Sequence, residues 1–458
     1  MPNGLSPKMS FITELSGKNC LVLGAGVTGR AVHNALLKFK ATSKIFDEKV
    51  SPDAEVVNEI PPGVNLVVVS PGWRLDHPVI VKLKSTGALI LSEIDLAWQI
   101  KQVLAPNQKW IALTGTNGKT TTIQMLESIF KSAKTNGVAC GNVGQTVIES
   151  VCADRPFDYL AIELSSFQIQ WSDLPRYQAV AILNIAEDHI DWHASFENYA
   201  AAKLKLLTHS DKLILNKSDQ EITRRIKNDE VIWFSLATPA PGEIGVVENL
   251  LIDRAFSASG SEANEIAELS DITPAVPHNI SNALAAAALA LSIGIKYEFI
   301  KNGLKNFSAD HHRMELVVSK NEINWIDDSK ATNPHAAIAS LLSNFKIIWI
   351  AGGLAKGASM GELVLRCANR IKAVILIGQD REIIATAFMQ HAKGVEIIRV
   401  DQVGDARTLM SDVVKAAKKL AQPGDTVLLA PACASMDQFD SYSQRGQLFA
   451  QAVKEELL

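Results

Sequence analysis

The chain has 458 residues, more than one hydrophobic core ordinarily accommodates, and its length therefore predicts about three domains. Lys and Arg (45) nearly balance Asp and Glu (49), so the sequence carries no broad basic field, and we expect neither a nucleic-acid partner nor membrane insertion. The five cysteines are widely spaced and form no CxxC pair, which argues against a disulfide framework or a zinc site and favours a cytoplasmic location with reduced thiols.

Short runs rich in Val, Ile and Leu recur along the chain, each followed by a stretch long enough for a helix. Such uninterrupted apolar strands are typical of parallel sheets covered on both faces, and the predicted fold class is α/β. We predict three domains: a Rossmann-like domain over residues 1–106, a central P-loop-type ATPase domain with a parallel sheet over residues 107–308, and a C-terminal Rossmann-like α/β domain over residues 309–458.

The first domain is predicted to have strands at residues 20–23, 44–47, 66–70 and 88–91. Gly24, Gly26 and Gly29 follow its first strand, and Asp47 ends its second. This arrangement is typical of a dinucleotide-binding fold, and an NAD(P) dehydrogenase is therefore one alternative. Glycines and a helix dipole accommodate any nucleotide diphosphate, however, and no nearby group provides a hydride acceptor site, so the motif alone does not favour NAD(P).

The central domain is predicted to have strands at residues 110–114, 159–164, 179–184, 212–216 and 231–235, and an Ala-rich helix at residues 281–293. Its first strand runs directly into Leu-Thr-Gly-Thr-Asn-Gly-Lys-Thr-Thr-Thr at residues 113–122. A strand, a glycine-containing loop and a helix N-terminus direct backbone N–H groups at phosphates, while Lys119 supplies a cation and Thr120 a hydroxyl for magnesium. Leu113 replaces the usual first glycine, so we expect a tighter loop; the alternative is a chance Gly-Lys-Thr turn.

Two other strands of the central domain are followed by polar residues. Glu163 closes one predicted strand and His189 follows the next, and both should lie at the same sheet edge as the phosphate loop. Glu163 offers the hard oxygen that Mg²⁺ prefers, and His189 suggests a second ion site. Lys203 lies on an amphipathic helix, where an ordinary surface lysine is the default interpretation.

The last domain is predicted to have strands at residues 315–318, 324–327, 347–351, 373–377 and 426–430. Polar groups follow these strands or border glycine turns, which would place them together at one rim. Arg313 is suited to a γ-phosphate, and Thr332, Lys356 and Ser435 are suited to a carboxylate-bearing substrate. We therefore expect a second site at this rim.

These motifs together resemble the Mur ligases of bacterial peptidoglycan synthesis, over essentially the whole chain. The family-wide signatures are matched by residues 115–121, by Glu-Leu-Ser-Ser-Phe-Gln at 163–168, by Glu-Asp-His at 187–189 and by His-Arg at 312–313. Asp-Ser-Lys-Ala-Thr-Asn at 328–333 and Pro-Ala-Cys-Ala-Ser-Met-Asp-Gln-Phe at 431–439 are similar to the family member that adds D-glutamate. The resemblance implies an ATP-dependent ligase that joins D-glutamate to UDP-N-acetylmuramoyl-L-alanine through an acyl phosphate.

The resemblance also implies roles for individual residues, with Lys119, His189 and Lys203 as catalytic residues. The UDP-substrate residues are Val27, Thr28, Asp47, Ser70, Pro71, Gly72 and Asn142. The ATP-binding residues are Gly115, Thr116, Asn117, Gly118, Lys119, Thr120, Thr121, Asn279, Asn282, Arg313 and Asp328. The residues at two magnesium ions are Thr120, Glu163, His189 and Lys203, the last as a carbamate. The D-glutamate residues are Lys330, Thr332, Lys356, Ser435 and Tyr442.

Two residues of the last domain depart from the family pattern. Ala430 stands where serine is common, and Tyr442 stands where phenylalanine is usual, so both bear on the shape of the D-glutamate pocket. The implied partners are the two small-molecule substrates, with the chain acting as a monomer. The alternatives are a Mur-type amide ligase for another amino acid and, from a different class, a P-loop ATPase switch that forms no amide.

Overall fold

The computed structural model describes residues 7–227, 230–257 and 262–458, and over these ranges the chain forms three sheets with flanking helices. The predicted α/β fold class is confirmed. The described residues divide into two compact units: the first lies within 7–185, 200–272 and 281–307, and the second within 186–199, 273–280 and 308–458. The domain boundaries at residues 106 and 308 stay predictions.

The first sheet is built from five parallel strands, which are β1 (Asn19–Leu23), β2 (Thr42–Phe46), β3 (Val56–Val57), β4 (Leu66–Val69) and β5 (Leu89–Ser92). Its helices are α1 (Pro7–Leu15), α2 (Val27–Lys38), α3 (Pro78–Ser85) and α4 (Glu93–Leu104). The strand order is β3-β2-β1-β4-β5. Strand β4 is wholly apolar and buried, as expected for a strand covered on both faces. Because β1 pairs with β2 and β4, the turns after these three strands are neighbours.

The second sheet has nine strands within the described residues, which are β6 (Lys109–Thr114), β7 (Gly137–Gly141), β8 (Tyr159–Glu163), β9 (Ala179–Ile182), β10 (Leu213–Asn216), β11 (Val231–Phe234), β12 (Glu243–Val247), β13 (Leu250–Asp253) and β14 (Asn264–Glu268). The order is β14-β13-β12-β11-β10-β9-β6-β8-β7, antiparallel at the β12-β13 and β13-β14 pairs and parallel elsewhere. Strand β6 pairs with both β8 and β9, which brings the residues after these three strands to one edge.

The helices of this part of the chain are α5 (Lys119–Ser132), α6 (Val147–Val151), α7 (Ser166–Trp171), α8 (Ile190–His193), α9 (Phe196–Leu204), α10 (Gln220–Arg225), α11 (Pro277–Ser292) and α12 (Tyr297–Lys305). Helix α11, which the sequence placed at residues 281–293, begins four residues earlier, at a proline. Proline suits the first turn of a helix because the N–H it lacks would have no intrahelical partner there.

The third sheet is built from β15 (Glu315–Lys320), β16 (Ile323–Asp327), β17 (Ile347–Gly352), β18 (Ile371–Ile377), β19 (Glu396–Arg399) and β20 (Thr426–Leu429). Its helices are α13 (Pro334–Leu342), α14 (Gly361–Cys367), α15 (Arg381–His391), α16 (Ala406–Leu420) and α17 (Tyr442–Leu457). The order is β15-β16-β20-β17-β18-β19, and the β15-β16 pair is antiparallel. Strand β20 lies between β16 and β17, so the loops after these three strands meet.

The strands predicted from apolar runs are found within two residues of their expected bounds. Within the described part of the chain, six further strands were not predicted, and they are β3, β7, β12, β13, β14 and β19. Strand β7 is bounded by glycines, and β12 to β14 form an antiparallel edge with partly exposed positions instead of continuous apolar runs. None of the helices in the described ranges combines the length and the apolar character that crossing a bilayer requires.

Candidate active site

A tight loop at residues 115–118 connects β6 to α5, in the position the sequence predicted for a phosphate-binding loop. Gly118 adopts a left-handed conformation with φ of 83° at the N-cap of α5. A Cβ at Gly118 would lie 2.4 Å from Oδ1 of Asn282 on α11, so both conformation and space require glycine here. The structure thus brings Asn282, a predicted ATP residue, against the loop.

Two lysines point into the carbonyl groups of this loop. Lys119 Nζ donates to the carbonyl oxygens of Gly115 (2.8 Å) and Thr116 (3.0 Å). Lys203 Nζ donates to the same Gly115 oxygen over 2.8 Å and lies 3.4 Å from Thr114 Oγ1. Lys203 is buried, so the default interpretation of it as a surface lysine is wrong. Both ammonium groups thus converge on the Gly115 carbonyl oxygen.

A buried carboxylate lies at the end of the strand beside the loop. Glu163 ends β8, directly across from Leu113 of β6, and is almost completely buried. Its Oε1 accepts a hydrogen bond from Asn142 Nδ2 over 3.0 Å, whereas its Oε2 has no hydrogen-bond partner among the described residues. A buried carboxylate oxygen without a donor is unfavourable unless a cation occupies the position.

The family resemblance assigned Asn142 to the UDP substrate. The structure places this residue beside Glu163. Its backbone N–H donates to the carbonyl oxygen of Glu163 over 2.9 Å, in addition to the side-chain bond. Gly141 permits this approach, because a Cβ there would lie 2.5 Å from the same oxygen and φ is 106°. Asn142 therefore orients the candidate metal carboxylate.

His189 and Asn279 lie in segments that belong to the second compact unit. His189 has φ of 54° at the N-cap of α8, and its Nε2 lies 3.7 Å from Asp188 Oδ2. Asn279 is buried, and its Nδ2 donates to the carbonyl oxygen of Pro274 over 3.0 Å. The proximity of His189 to Thr120 and Glu163 stays a prediction, as does the contact of Asn279 with ATP.

Asn184, which follows β9, has no role predicted from the sequence. Its Oδ1 accepts from the Asn117 N–H over 2.8 Å and its Nδ2 donates to the Asn117 carbonyl oxygen over 3.1 Å. Its own carbonyl oxygen accepts from the Thr116 N–H over 3.0 Å. The signal that could have found it is its position directly after an apolar strand that pairs with β6.

The residues predicted for the UDP substrate lie, apart from Asn142, at neighbouring strand ends of the first sheet. Asp47 Oδ2 accepts from the N–H of Ala25 in the glycine turn over 2.8 Å. Val27 and Thr28 begin α2, and the side chain of Val27 is 77% exposed. Ser70 Oγ is buried without a hydrogen-bond partner among the described residues, and it faces Gly24. Pro71 and Gly72 follow Ser70 in the same turn. The Ser70 hydroxyl at this edge could therefore donate a hydrogen bond to a ligand.

At the rim of the third sheet, backbone hydrogen bonds hold together the loops that carry Thr332, Lys356 and Ser435. The Ala432 N–H donates to the carbonyl oxygen of Ala331 over 2.9 Å. Leu354 and Ala434 exchange two hydrogen bonds of 2.9 Å. The three loops are therefore one connected surface, as the predicted rim requires.

Lys330 and Tyr442, both predicted for D-glutamate, contact each other. Lys330 Nζ lies 3.8 Å from the centroid of the Tyr442 ring. Arg445, which was not predicted from the sequence, is fully buried and contacts Ser329, the residue before Lys330. Its guanidinium donates to Oγ and to the carbonyl oxygen of Ser329 (3.0 and 2.9 Å) and to the carbonyl oxygen of Cys433 (3.2 Å). Burial lowers the pKa of Arg445 to about 10, and the residue joins two of the rim loops.

The entrance to the third sheet carries a buried group of titratable side chains. His312 Nδ1 lies 2.6 Å from Asp327 Oδ2, and this hydrogen bond raises the pKa of His312. Burial raises the pKa of Asp328 to about 6, although the hydrogen bond from Ser340 and the positive charge of Arg313 act in the opposite direction. The structure thus places Arg313 and Asp328, two predicted ATP residues, in one electrostatic group.

A glycine loop between a parallel strand and a helix, with two lysine ammonium groups and a buried carboxylate beside it, is the arrangement of α/β proteins of the phosphate-binding-loop class. Residues 113–290 match the family model of the Mur ligase middle domain, and residues 312–433 match that of the Mur ligase glutamate ligase domain. The chain belongs to the Mur ligase family.

Relatives of known name are similar over nearly the whole chain. The UDP-N-acetylmuramoylalanine–D-glutamate ligase of Thermobifida fusca is 44% identical over 465 residues, covering 96% of this chain and 99% of that protein. The ligase of the same name from Streptomyces coelicolor is 40% identical over 468 residues, covering 97% and 99%.

Solved structures resemble the chain in fold. The pseudomurein peptide ligase type C from Methanothermus fervidus has a TM-score of 0.60 at 17% identity, covering 96% of this chain and all (100%) of that one. MurF from Acinetobacter baumannii has a TM-score of 0.59 at 19% identity, covering 96% and 91%.

Proposed function

We propose that this chain is an ATP-dependent ligase that adds D-glutamate to UDP-N-acetylmuramoyl-L-alanine in peptidoglycan precursor synthesis. The observation that carries the proposal is the identity of 40 to 44% with D-glutamate ligases over 96 to 97% of the chain. We also propose that it acts as a cytoplasmic monomer with three domains, divided near residues 106 and 308.

ATP binds, in this proposal, at the loop between β6 and α5. The N–H groups in the first turn of a helix have no intrahelical acceptor, and together with the helix dipole they attract phosphate. Lys119, which donates to the Gly115 carbonyl oxygen, adds a cation at the same place. Asn282 approaches the loop from α11. Asn279, Arg313 and Asp328 complete the proposed ATP set.

The residues beside the loop fit a divalent cation. Glu163 has a buried oxygen with no hydrogen-bond partner among the described residues, and Thr120 carries a hydroxyl in the first turn of α5. We assign Thr120, Glu163 and His189 to two magnesium ions, which when bound neutralise phosphate charge. Burial disfavours the charged form of an amine, and a neutral amine takes up carbon dioxide, which supports a carbamate at Lys203.

We propose the following reaction at these residues. The L-alanine carboxylate oxygen attacks the γ-phosphorus of ATP, which forms an acyl phosphate and releases ADP. Lys119 reduces the repulsion between the anionic nucleophile and the phosphates. The D-glutamate amine then attacks the acyl carbon and loses a proton, and the tetrahedral oxyanion collapses to the amide as inorganic phosphate leaves. One well-placed donor to such an oxyanion is worth about 3 kcal/mol.

We assign the UDP moiety of one substrate to the edge of the first sheet and the carboxylates of D-glutamate to the rim of the third sheet. We propose that the glycine turn after β1, with Asp47 and the hydroxyl of Ser70, binds the UDP moiety, and that Asn142 acts near the sugar phosphate while orienting Glu163. The connected rim loops of the third sheet supply Thr332, Lys356 and Ser435 for the carboxylates of D-glutamate, with Lys330 and Tyr442 beside them.

ADP release, measured with UDP-N-acetylmuramoyl-L-alanine and a panel of amino acids, tests the proposal. We expect turnover with D-glutamate and none with L-glutamate, glycine or L-alanine. Turnover with another amino acid would indicate a Mur-type ligase of different specificity, and equal ADP release without any amino acid would indicate an ATPase switch. Either result would overturn the assignment.

A further inference from the structure

The backbone N–H groups of the phosphate loop are not all directed at a ligand. Those of Thr116 and Asn117 donate to Asn184, over 3.0 Å to its carbonyl oxygen and 2.8 Å to its side-chain Oδ1. The Asn184 amide completes a pair with the backbone of Asn117, because its Nδ2 donates to the Asn117 carbonyl oxygen over 3.1 Å. One side chain therefore holds both polar groups of a residue in the middle of the loop.

Asn184 is itself held in place by the neighbouring strand ends. Leu183 donates its N–H to the Thr114 carbonyl oxygen over 3.0 Å and accepts a hydrogen bond from Asn216 Nδ2 over 2.9 Å. The N–H of Ile185 donates to Asp219 Oδ2 over 3.0 Å. The ends of β6, β9 and β10 are thereby joined into one polar network that terminates at the loop.

A phosphate loop binds well only if its backbone is already in the bound conformation, since ordering a flexible loop on binding reduces affinity. Left-handed Gly118 favours loop flexibility, because glycine has the largest backbone freedom of any residue. The hydrogen bonds from Asn184 oppose that freedom one residue earlier, at Asn117. They also leave the first turn of α5 as the source of backbone donors for phosphate.

We infer that Asn184 is a positioning residue that holds the phosphate loop in its nucleotide-binding conformation, and that Asn216 supports it from the adjacent strand. Asn184 does not touch the nucleotide in this role, and acts through Asn117. The inference rests on the proposed function only in taking a nucleotide with its phosphates as the ligand.

The test is calorimetric titration of the full-length chain with Mg²⁺·ADP, and separately with UDP-N-acetylmuramoyl-L-alanine. Asn184→Ala removes two neutral hydrogen bonds, and we expect its affinity for Mg²⁺·ADP to fall about tenfold. Its affinity for the UDP substrate should stay within about twofold of wild type, because the side-chain bonds of Asn184 go to the phosphate loop.

Two further variants make the result interpretable. Asn216→Ala removes the hydrogen bond to the Leu183 carbonyl oxygen, next to Asn184, and we expect a loss of Mg²⁺·ADP affinity of about threefold. If Asn184→Ala does not fold, the affinity of Asn216→Ala tests the positioning role in its place. Asn136→Ala is the matched control, because Asn136 makes a similar side-chain bond, to the Pro156 carbonyl oxygen over 3.0 Å, before β7 and away from the loop. It should bind Mg²⁺·ADP as wild type does.

Wild-type Mg²⁺·ADP affinity in both Asn184→Ala and Asn216→Ala would overturn the inference, as would an equal loss of affinity for both ligands. An effect of Asn136→Ala as large as that of Asn184→Ala would also overturn it. These readouts need no amide formation, so they are separate from failure of the proposed function, which the amino-acid panel detects in the wild type.

Discussion

The ammonium group of Lys330 lies over the aromatic ring of Tyr442, with Nζ 3.8 Å from the ring centroid. Lys330 follows β16 and Tyr442 begins α17, and Ser329 joins these two segments by donating from its Oγ to the Tyr442 carbonyl oxygen over 2.7 Å. A phenylalanine, which is usual in the family at this position, would offer the same ring face to the cation.

The contact predicts different effects for a substitution at Tyr442 that keeps the aromatic ring and for one that removes it. A cation over an aromatic face gains about 0.5 to 2 kcal/mol, depending on desolvation. Tyr442→Phe should therefore keep the wild-type KM for D-glutamate, whereas Tyr442→Leu should raise it about threefold to tenfold with little change in the KM for ATP. Steady-state ADP release at varied D-glutamate measures both. Equal KM values for the two variants would show that the ring face does not matter.

Asp380 fixes the backbone next to Lys356. Its Oδ2 accepts from the N–H of Ala355 over 2.8 Å, and its own N–H donates to the Gly353 carbonyl oxygen over 3.0 Å. Lys356 has φ of 51°, a left-handed conformation that a residue with a side chain adopts only when its surroundings hold it there.

We therefore expect Asp380→Ala to raise the KM for D-glutamate about fivefold while the KM for the UDP substrate is unchanged, because one hydrogen bond to a charged acceptor is worth about 1 kcal/mol or more. Asp380→Asn keeps an oxygen acceptor and should retain most of the affinity. Asp405→Ala is the control, since Asp405 makes a similar bond, to the Thr408 N–H over 2.8 Å, at the start of α16. An Asp380→Asn variant as impaired as Asp380→Ala would contradict a positioning role.

Lys119→Ala tests the phosphate loop itself. If Lys119 acts on the transferred phosphoryl group as proposed, removing its cation should lower kcat at least about a hundredfold, with the circular dichroism spectrum and Tm of the wild type. Lys131→Ala provides the comparison, because Lys131 lies exposed at the other end of the same helix and pairs with Glu127 over 2.9 Å. Retained turnover in Lys119→Ala would refute the assignment of the loop.

Gly446 on α17 allows the His312–Asp327 pair to form. A Cβ at Gly446 would lie 2.3 Å from His312 Nδ1 and 2.7 Å from Asp327 Oδ2. Glycine to alanine within a helix normally stabilises by about 1 kcal/mol, but here overpacking should reverse the sign and destabilise by about 2 kcal/mol.

Thermal denaturation of Gly446→Ala and Gly394→Ala measures this effect. Gly394 has no neighbouring atom within 4 Å of a built Cβ, so its substitution should leave Tm nearly unchanged. A Gly446→Ala protein as stable as wild type would mean that α17 shifts at little free-energy cost.

The burial of Glu93 predicts that the free energy of unfolding depends on pH. The residue is buried at the start of α4, its Oε1 accepts from the Ile148 N–H over 2.7 Å, and burial raises its pKa from 4.5 to about 7. Because the folded-state pKa is the higher one, the wild type loses stability as the pH rises from 4.5 through 7, by up to about 3 kcal/mol.

Glu93→Gln cannot acquire the buried charge, so it should be more stable than wild type at pH 8 and should lose this advantage at pH 4.5. Thermal denaturation at both pH values measures the difference. Glu14→Gln, a substitution of an exposed glutamate, should show no such crossover. A stability difference between Glu93→Gln and wild type that is the same at both pH values would contradict the burial argument.

The sequence alone sufficed for the α/β class, for most of the parallel strands and for the position of the glycine loop between β6 and α5. These features depend on the order of residue types along short stretches of the chain. An apolar run of five or six residues predicts a buried strand. A strand, glycines, a lysine and a helix in succession predict an anion site. The polar residues after β8 and in the rim loops could be identified for the same reason, because parallel strands end at one edge.

The tertiary structure decided which side chains these elements bring together. Lys203 lies on a helix of ordinary surface pattern, yet packing buries its ammonium group against the Gly115 carbonyl oxygen. The bonds from Asn184 to the loop span 67 positions, and those from Arg445 to Ser329 span 116. Contacts between residues so distant in sequence depend on strand order and loop conformation, which no local pattern of residue types encodes.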